Sequence, residues 1–362
     1  MTERRPEPVE GSPFSSRPGA VGSPVPLHYG SPLAEQRELA AGRAVVDLSH
    51  RAVLTVSGPD RLSWLDSLTS QALARLAPGA STETLQLDPH GHVEFAARVL
   101  DDGETAWLLT DDGEGLRRWL ERMRFRLRVE IAERDAEFAT IGSFAGADVP
   151  AAESNGVPLV WVDPWATPSG HAYAHPAEHP AAGWTYRETL VRREDLPALT
   201  ATPAAGTLAL EALRIAAWRP ALPAEGDERL LPHEVDWLRT AVHLSKGCYR
   251  GQETVAKVHN LGHPPRRLVF LHLDGSDALL PEHGAAVLSG DDEVGRVTSA
   301  ALHYELGPIA LALVKRRLDP AAPLTVAADE ERVAAAQEVI VPTDAGATVT
   351  VPRIPRLGSA RR

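Results

Sequence analysis

The chain has 362 residues and a formal net charge of −12, from 37 Lys plus Arg against 49 Asp plus Glu. That length exceeds one ordinary core and predicts two or three domains. The negative balance argues against broad binding to nucleic acid or a membrane surface, and no apolar run approaches the roughly 20 residues a membrane span needs.

Residues 1 to 30 hold repeated Pro, Gly and Ser with almost nothing to bury, and read as a lead-in without structure. Arg4-Arg5 is followed by Pro-Glu-Pro and not by an apolar stretch, so no export signal is expected there. With a single cysteine in the chain, this points to the reducing cytoplasm.

A first helix is predicted from Pro32, with Ser31 as N-cap and Gly42 closing it. Ala52 to Val56 alternates as a strand, and Ser57-Gly58-Pro59 then leads into a helix carrying Leu62, Leu65 and Leu68 on one face. Strands at 84–87 and 93–100 flank Asp88-Pro89-His90-Gly91, a type I turn signature. A strand at 105–109, a helix through Leu116, Trp119, Leu120 and Met123, and a strand at 127–131 complete an α+β module.

The small polar loop 145–156 marks a boundary at 144/145. A second α+β segment follows, with a strand at 185–191 and a helix at 208–218. After Pro264-Pro265 the pattern changes to strands alone, at 268–273, 286–288, 294–298, 309–314, 324–327 and 338–341. Their short spacing predicts a small β-barrel or sandwich. The expected domains are therefore 31–144, 145–262 and 263–345, with an Arg-rich tail over 346–362.

Lys246-Gly247-Cys248-Tyr249-Arg250-Gly251-Gln252-Glu253 contains the only cysteine. Alone it forms no internal disulfide and builds no Cys-rich metal site. Lys246 and Arg250 flank it with positive charge, and Gly247 and Gly251 let the backbone turn sharply. A helix from Gln252 to Val258 would put Cys248 near a helix N-terminus. Cations and that dipole both favour thiolate over thiol, the environment of a reactive cysteine. The polarity of the octet argues against simple burial.

Other constellations are weaker. His171, His175 and His179 recur every four residues, but Pro176 and Pro180 break the helix that would align them. His259 and His263 are separated by Gly262 and followed by Pro264, so no stably bound metal is expected. No Gly-rich phosphate loop and no G-x-S-x-G elbow is present. The stretch 231–238 reads equally as a pocket wall, through Glu234 and Asp236, or as a solvated loop.

The octet resembles the K-G-C-Y-x-G-Q-E signature of the YgfZ family, folate-binding proteins related to the glycine-cleavage T-protein (aminomethyltransferase). Ala52 to Thr69 looks like that family's N-terminal strand–G-x-D–helix segment, and Leu213-Arg214-Ile215 like the start of its folate-side helix. Gly295 to Ser299 and Gly307 to Ala312 are similar to its barrel motifs. The resemblance runs from about residue 26 to about 345. It implies two α+β (ferredoxin-like) segments and a C-terminal β-barrel, arranged as a three-domain cloverleaf around a central folate-sized hole. It also implies tetrahydrofolate or a one-carbon derivative as cofactor, iron–sulfur client or assembly proteins as partners, and Cys248 as the functional centre.

The chain departs from the pattern at named positions. Phe95 and Ala96 stand where aminomethyltransferases carry an acidic pair, and a methyl group cannot do a carboxylate's work on a folate nitrogen. Ala216 replaces the Glu of the family's R-x-E-A-G helix. Arg51 and Leu210 stand about where bacterial relatives place tryptophans beside folate. Arg214 keeps the family's place in that helix, and Trp218, Glu234 or Asp236 are then expected to take over recognition. The resulting expectation is a folate-binding accessory protein for iron–sulfur cluster assembly or repair. The octet residues Cys248, Lys246 and Arg250 would act, positioned by Gly247, Tyr249, Gly251, Gln252 and Glu253. A folate-dependent one-carbon transferase or demethylase, a folate-sensing scaffold and a tRNA-modification factor are the rivals.

Overall fold

The computed structural model describes residues 11–173, 179–275, 279–328 and 331–349. In chain order the elements begin with α1 (Pro32–Ala40), β1 (Val45–Asp47), β2 (Ala52–Ser57), α2 (Arg61–Leu68), β3 (Ser81–Leu87), β4 (Val93–Asp101), β5 (Thr105–Thr110), α3 (Gly113–Met123), β6 (Glu130–Glu133) and β7 (Phe138–Ser143). There follow β8 (Glu153–Ser154), β9 (Val157–Pro158), β10 (Val160–Val162), β11 (Arg187–Arg192), α4 (Leu196–Leu199), β12 (Ala204–Ala205), α5 (Thr207–Ala216), α6 (Leu222–Glu225) and α7 (Gln252–Asn260). The last six are strands: β13 (Arg266–Leu273), β14 (Ala286–Ser289), β15 (Asp292–His303), β16 (Gly307–Lys315), β17 (Leu324–Ala328) and β18 (Glu331–Val339).

The fold is α+β, as the residue pattern and the resemblance both imply. One five-stranded sheet has the order β3-β4-β5-β2-β6. Its inward residues Leu54, Val56, Val99 and Leu108 bury against Trp64 and Leu65 of α2 and Trp119 and Leu120 of α3. Asp112 caps α3 by accepting from Gly115 N at 2.8 Å. Met123, the last residue of α3, is 39% exposed.

The second five-stranded sheet, β10-β11-β7-β1-β12, draws strands from both sides of the expected boundary at 144/145. β1 and β7 lie before residue 145 yet pair with strands after it: Val45 and Val46 face Ala204 and Ala205, and Phe138–Ser143 runs antiparallel to Arg187–Arg192. Local polarity marks loops, but it does not reveal which sheet a strand joins.

Strands β13-β16-β15-β14-β17-β18 close into a barrel, which leaves no open sheet edge. β15 is longer than its apolar run suggests, and its register shifts between Val297 and Ser299, the bulge that lets a strand bend around a barrel. β18 starts earlier than expected, since Glu331–Val339 buries fully only Val333 and reads as polar.

Two further expectations change. From residue 11 the lead-in is packed: Phe14 is fully buried in a cluster with Val45, Ile141 and Leu196, and Arg17 Nη1 donates to Thr200 O at 2.6 Å. Residues 1–10 lie outside the described residues. The first four residues of the expected tail run along the end of α7, where Thr348 N and Val349 N donate to His259 O and Asn260 O at 3.0 and 3.1 Å. At α1 the cap is Glu35, accepting from Tyr29 N and Ser31 N, and the Ser31 side chain makes no cap bond.

Candidate functional site

Gly251 opens α7 with φ +83, a conformation that favours glycine. The octet therefore arrives on α7 as a sharp turn packed against the β3–β4 turn at Asp88–Gly91. Cys248 is free and exposed, and Gly247 has open space around it. Tyr249 is buried, with Lys246 Nζ 5.4 Å from its ring centroid; burial pushes its phenol well above the ordinary value. Gln252 Nε2 donates back to Lys246 O at 3.4 Å, and Glu253 lies exposed in the first turn of α7.

Lys246 has a different role from the one expected. Its side chain is 3% exposed, and Nζ donates to Thr69 O and Gln71 O at 2.8 and 2.7 Å and to Asp66 O. It thus gathers the free carbonyls at the C-terminal end of α2, where a cation is favoured. Burial pulls its pKa below the ordinary value, against the opposing pull of Asp66. The ammonium is engaged by α2 and is no free partner for the thiol. Arg250 instead turns toward β4, with Nη1 3.9 Å from Glu94 Oε2.

Arg250 stands in the wall of a cleft of about 910 Å³, together with Glu94 and Phe95 of β4, Trp119 of α3, and Leu222 and Asp227. A chamber of about 290 Å³ shares Glu94, Phe95 and Leu222 with it and adds Ala96 and Asp111. Ala96, Leu222 and Asp111 also bound a smaller recess, whose far side holds Glu83, Arg219 and Trp237. Positions 95 and 96 therefore face the cavities, and neither offers a carboxylate. Asp111 does, and sequence reading missed it because it follows β5 without any motif around it.

Asp111 joins a four-membered ion network. Oδ1 lies 3.2 Å from Arg51 Nε and Oδ2 3.7 Å from Arg98 Nη1, while Glu188 Oε1 meets Arg51 Nη1 and, at 3.1 Å, Arg98 Nε. Burial would raise the Asp111 pKa, but Arg51 and Arg98 outweigh it and hold the carboxyl below its ordinary range.

The six expected folate contacts lie elsewhere, and none of them lines the cleft or its two chambers. Arg51 is held by Glu188 and Asp111 behind the chamber wall. Leu210 is core on α5. Arg214 braces α5 to the barrel through Glu225 at 3.1 Å and Ser299 Oγ at 2.7 Å. Trp218 is buried, its ring 5.2 Å from that of His179. Glu234 is fully buried and accepts from Leu231 N and from the backbone and guanidinium of Arg266. Asp236, also fully buried, accepts from Tyr173 N at 3.2 Å, and burial pushes its pKa up to about 7. The polar stretch 231–238 turned inward to bond other elements, which a sequence pattern cannot separate from turning toward a ligand.

Among the described residues no group of three or more His, Cys, Asp or Glu is arranged to hold a metal ion; His175 lies outside them. Among the same residues no helix is long and apolar enough to cross a membrane.

Residues 266–343 match the glycine cleavage T-protein C-terminal barrel domain. Curated relatives include the aminomethyltransferase of Symbiobacterium thermophilum, 28% identical over 80% of this chain and 83% of its own length. That of Streptomyces coelicolor is 28% identical over 83% of this chain and 85% of its own. Among solved structures, the glycine cleavage system aminomethyltransferase T of Bartonella henselae shares the fold with a TM-score of 0.68 at 15% identity, covering 91% of this chain and 96% of that one. The barrel match, the relatives along most of the chain and the shared fold together make this chain similar to the glycine-cleavage T-proteins.

Proposed function

We propose that this protein binds tetrahydrofolate, or a one-carbon derivative of it, in the cleft beside the octet. In this reading it serves in the cytoplasm as an accessory factor for iron–sulfur cluster assembly or repair through Cys248. The observation that carries the reading is the joining of octet and cleft: Arg250 forms part of the cleft wall, and Cys248, two residues before it, is exposed. The chamber suits the cofactor's chemistry. Phe95 and Leu222 offer apolar walls to a ring, and Glu94 and Asp111 offer acceptors to its N–H groups. The residues that would hold it are these four with Arg250. Cys248 would supply a nucleophilic sulfur or a transient ligand at the mouth.

The test is the activity per molecule of a [4Fe–4S] enzyme in deletion cells complemented with wild type or Cys248→Ser at matched expression. Restoration by wild type alone is expected. Full activity without the protein would remove the iron–sulfur role.

A second reading, a folate-dependent one-carbon transferase, is favoured by the relatives named aminomethyltransferases. Phe95 and Ala96 count against it. Formation of methylene-tetrahydrofolate from an amine by the purified protein would establish it in place of the first.

A further inference from the structure

β4 and β5 are antiparallel, pairing Arg98 with Leu109 and Val99 with Leu108. Continued by two residues, that register sets Asp111 opposite Ala96. Thr110 Oγ1, one residue before, donates to Ala96 O at 3.0 Å and keeps the strands together to that point. Directly opposed residues on antiparallel strands present their side chains to one face, with Cβ atoms about 4.5–5.5 Å apart. The carboxylate absent from position 96 is therefore present one strand away, on the same side of the sheet. Ala96 and Asp111 accordingly line the same two chambers.

An ion network alone does not account for where Asp111 sits. Glu188 already meets both arginines, accepts from Tyr186 Oη at 3.0 Å, and has a side chain with 0% exposure. The Asp111 side chain keeps 29% exposure while touching the same two arginines. One carboxylate is sealed behind the wall, and the other looks into the chamber. The arginines fix its orientation, and as a carboxylate it can only accept hydrogen bonds.

We propose that Asp111 is the ligand-contacting carboxylate of the chamber, accepting an N–H of the bound folate from across the strand pair at the place where Ala96 cannot. This rests on the folate-binding reading above and adds the residue that orients the ring.

The experiment is calorimetric titration of tetrahydrofolate into the full chain as wild type, as Asp111→Asn, and as the double variant Ala96→Asp/Asp111→Asn. Asp111→Asn should weaken binding roughly ten- to hundredfold, the scale of a hydrogen bond to a charged group. The double variant, which returns a carboxylate to the facing strand, should recover most of that loss; a merely structural role for Asp111 would not be rescued in this way. If Asp111→Asn does not fold, Asp111→Glu, which keeps the charge and displaces the carboxylate by one methylene, is expected to weaken binding in the same direction. Wild-type affinity in the single variant, or a double variant as weak as the single one, overturns the assignment while leaving folate binding intact. No binding by wild type overturns the folate reading and the assignment with it.

Discussion

Gly251 and Gly91 meet with no room for a methyl group between them. A Cβ on Gly251 would lie 3.0 Å from Gly91 Cα and 2.7 Å from Asp88 O, and one on Gly91 would lie 2.9 Å from Thr254 Cβ. The octet is thus seated backbone to backbone on the turn that starts β4, the strand carrying Glu94, Phe95 and Ala96. Its distance from the cleft is set by that contact and not by flexible side chains.

Gly251→Ala meets both this crowding and the left-handed φ, and should destabilise the protein by about 2–4 kcal/mol. Gly247→Ala, four residues away with nothing within 4 Å, should change stability by no more than about 0.5 kcal/mol. Urea denaturation of the pair is the check, and equal midpoints would show that the octet is not seated in this way.

Lys246 belongs to the scaffold. Replacing it with Met keeps the apolar stem but leaves the carbonyls of Asp66, Thr69 and Gln71 without their shared donor. The expected loss is about 2–4 kcal/mol, since buried acceptors deprived of a partner cost about 1–3 kcal/mol each and water recovers part of it. The same variant, once folded, should leave the alkylation rate of Cys248 near that of wild type. A large drop in that rate with stability unchanged would return Lys246 to the role first expected of it.

The strands, the barrel and the octet's turn were legible in the sequence because each is a local pattern. Short apolar runs bounded by turn residues announce β5 and β16, and Gly251 before a polar helical stretch announces the start of α7. What was not legible depends on distant pairing. Nothing near Asp111 signals that β4 will bring Ala96 opposite it. Nothing near Val45 signals that β1 will leave β2 to pair with β7 and β12. Polar residues singled out for ligands proved to serve the fold where partners lay far along the chain: Glu234 finds Arg266, and Arg214 finds Ser299. Phe95 and Ala96, the positions the resemblance singles out, do line the chamber, whereas Arg51 pairs with Glu188 and Asp111 and Leu210 packs in the core.

His233 and Asp236, three residues apart and both fully buried, give stability opposite dependences on pH. Burial, with His259 and His171 adding to it, lowers the His233 pKa to about 3, against about 6.5 in an unfolded chain. The stability this group contributes is present above about pH 6.5 and is lost as pH falls toward its folded value. Asp236 is raised to about 7 by burial, against the pull of Tyr173 N and Arg239, from about 3.9 unfolded. Its contribution is present below about pH 4 and is lost as pH rises through 7. On acidification from pH 7 to 5, His233→Gln should therefore lose less stability than wild type, by roughly 1–2 kcal/mol. Asp236→Asn, which an αL backbone tolerates, should gain on wild type between pH 5 and 8. Urea midpoints across that range compare each variant with wild type, so titrations common to both cancel. A variant whose profile runs parallel to that of wild type would refute the assignment at that position.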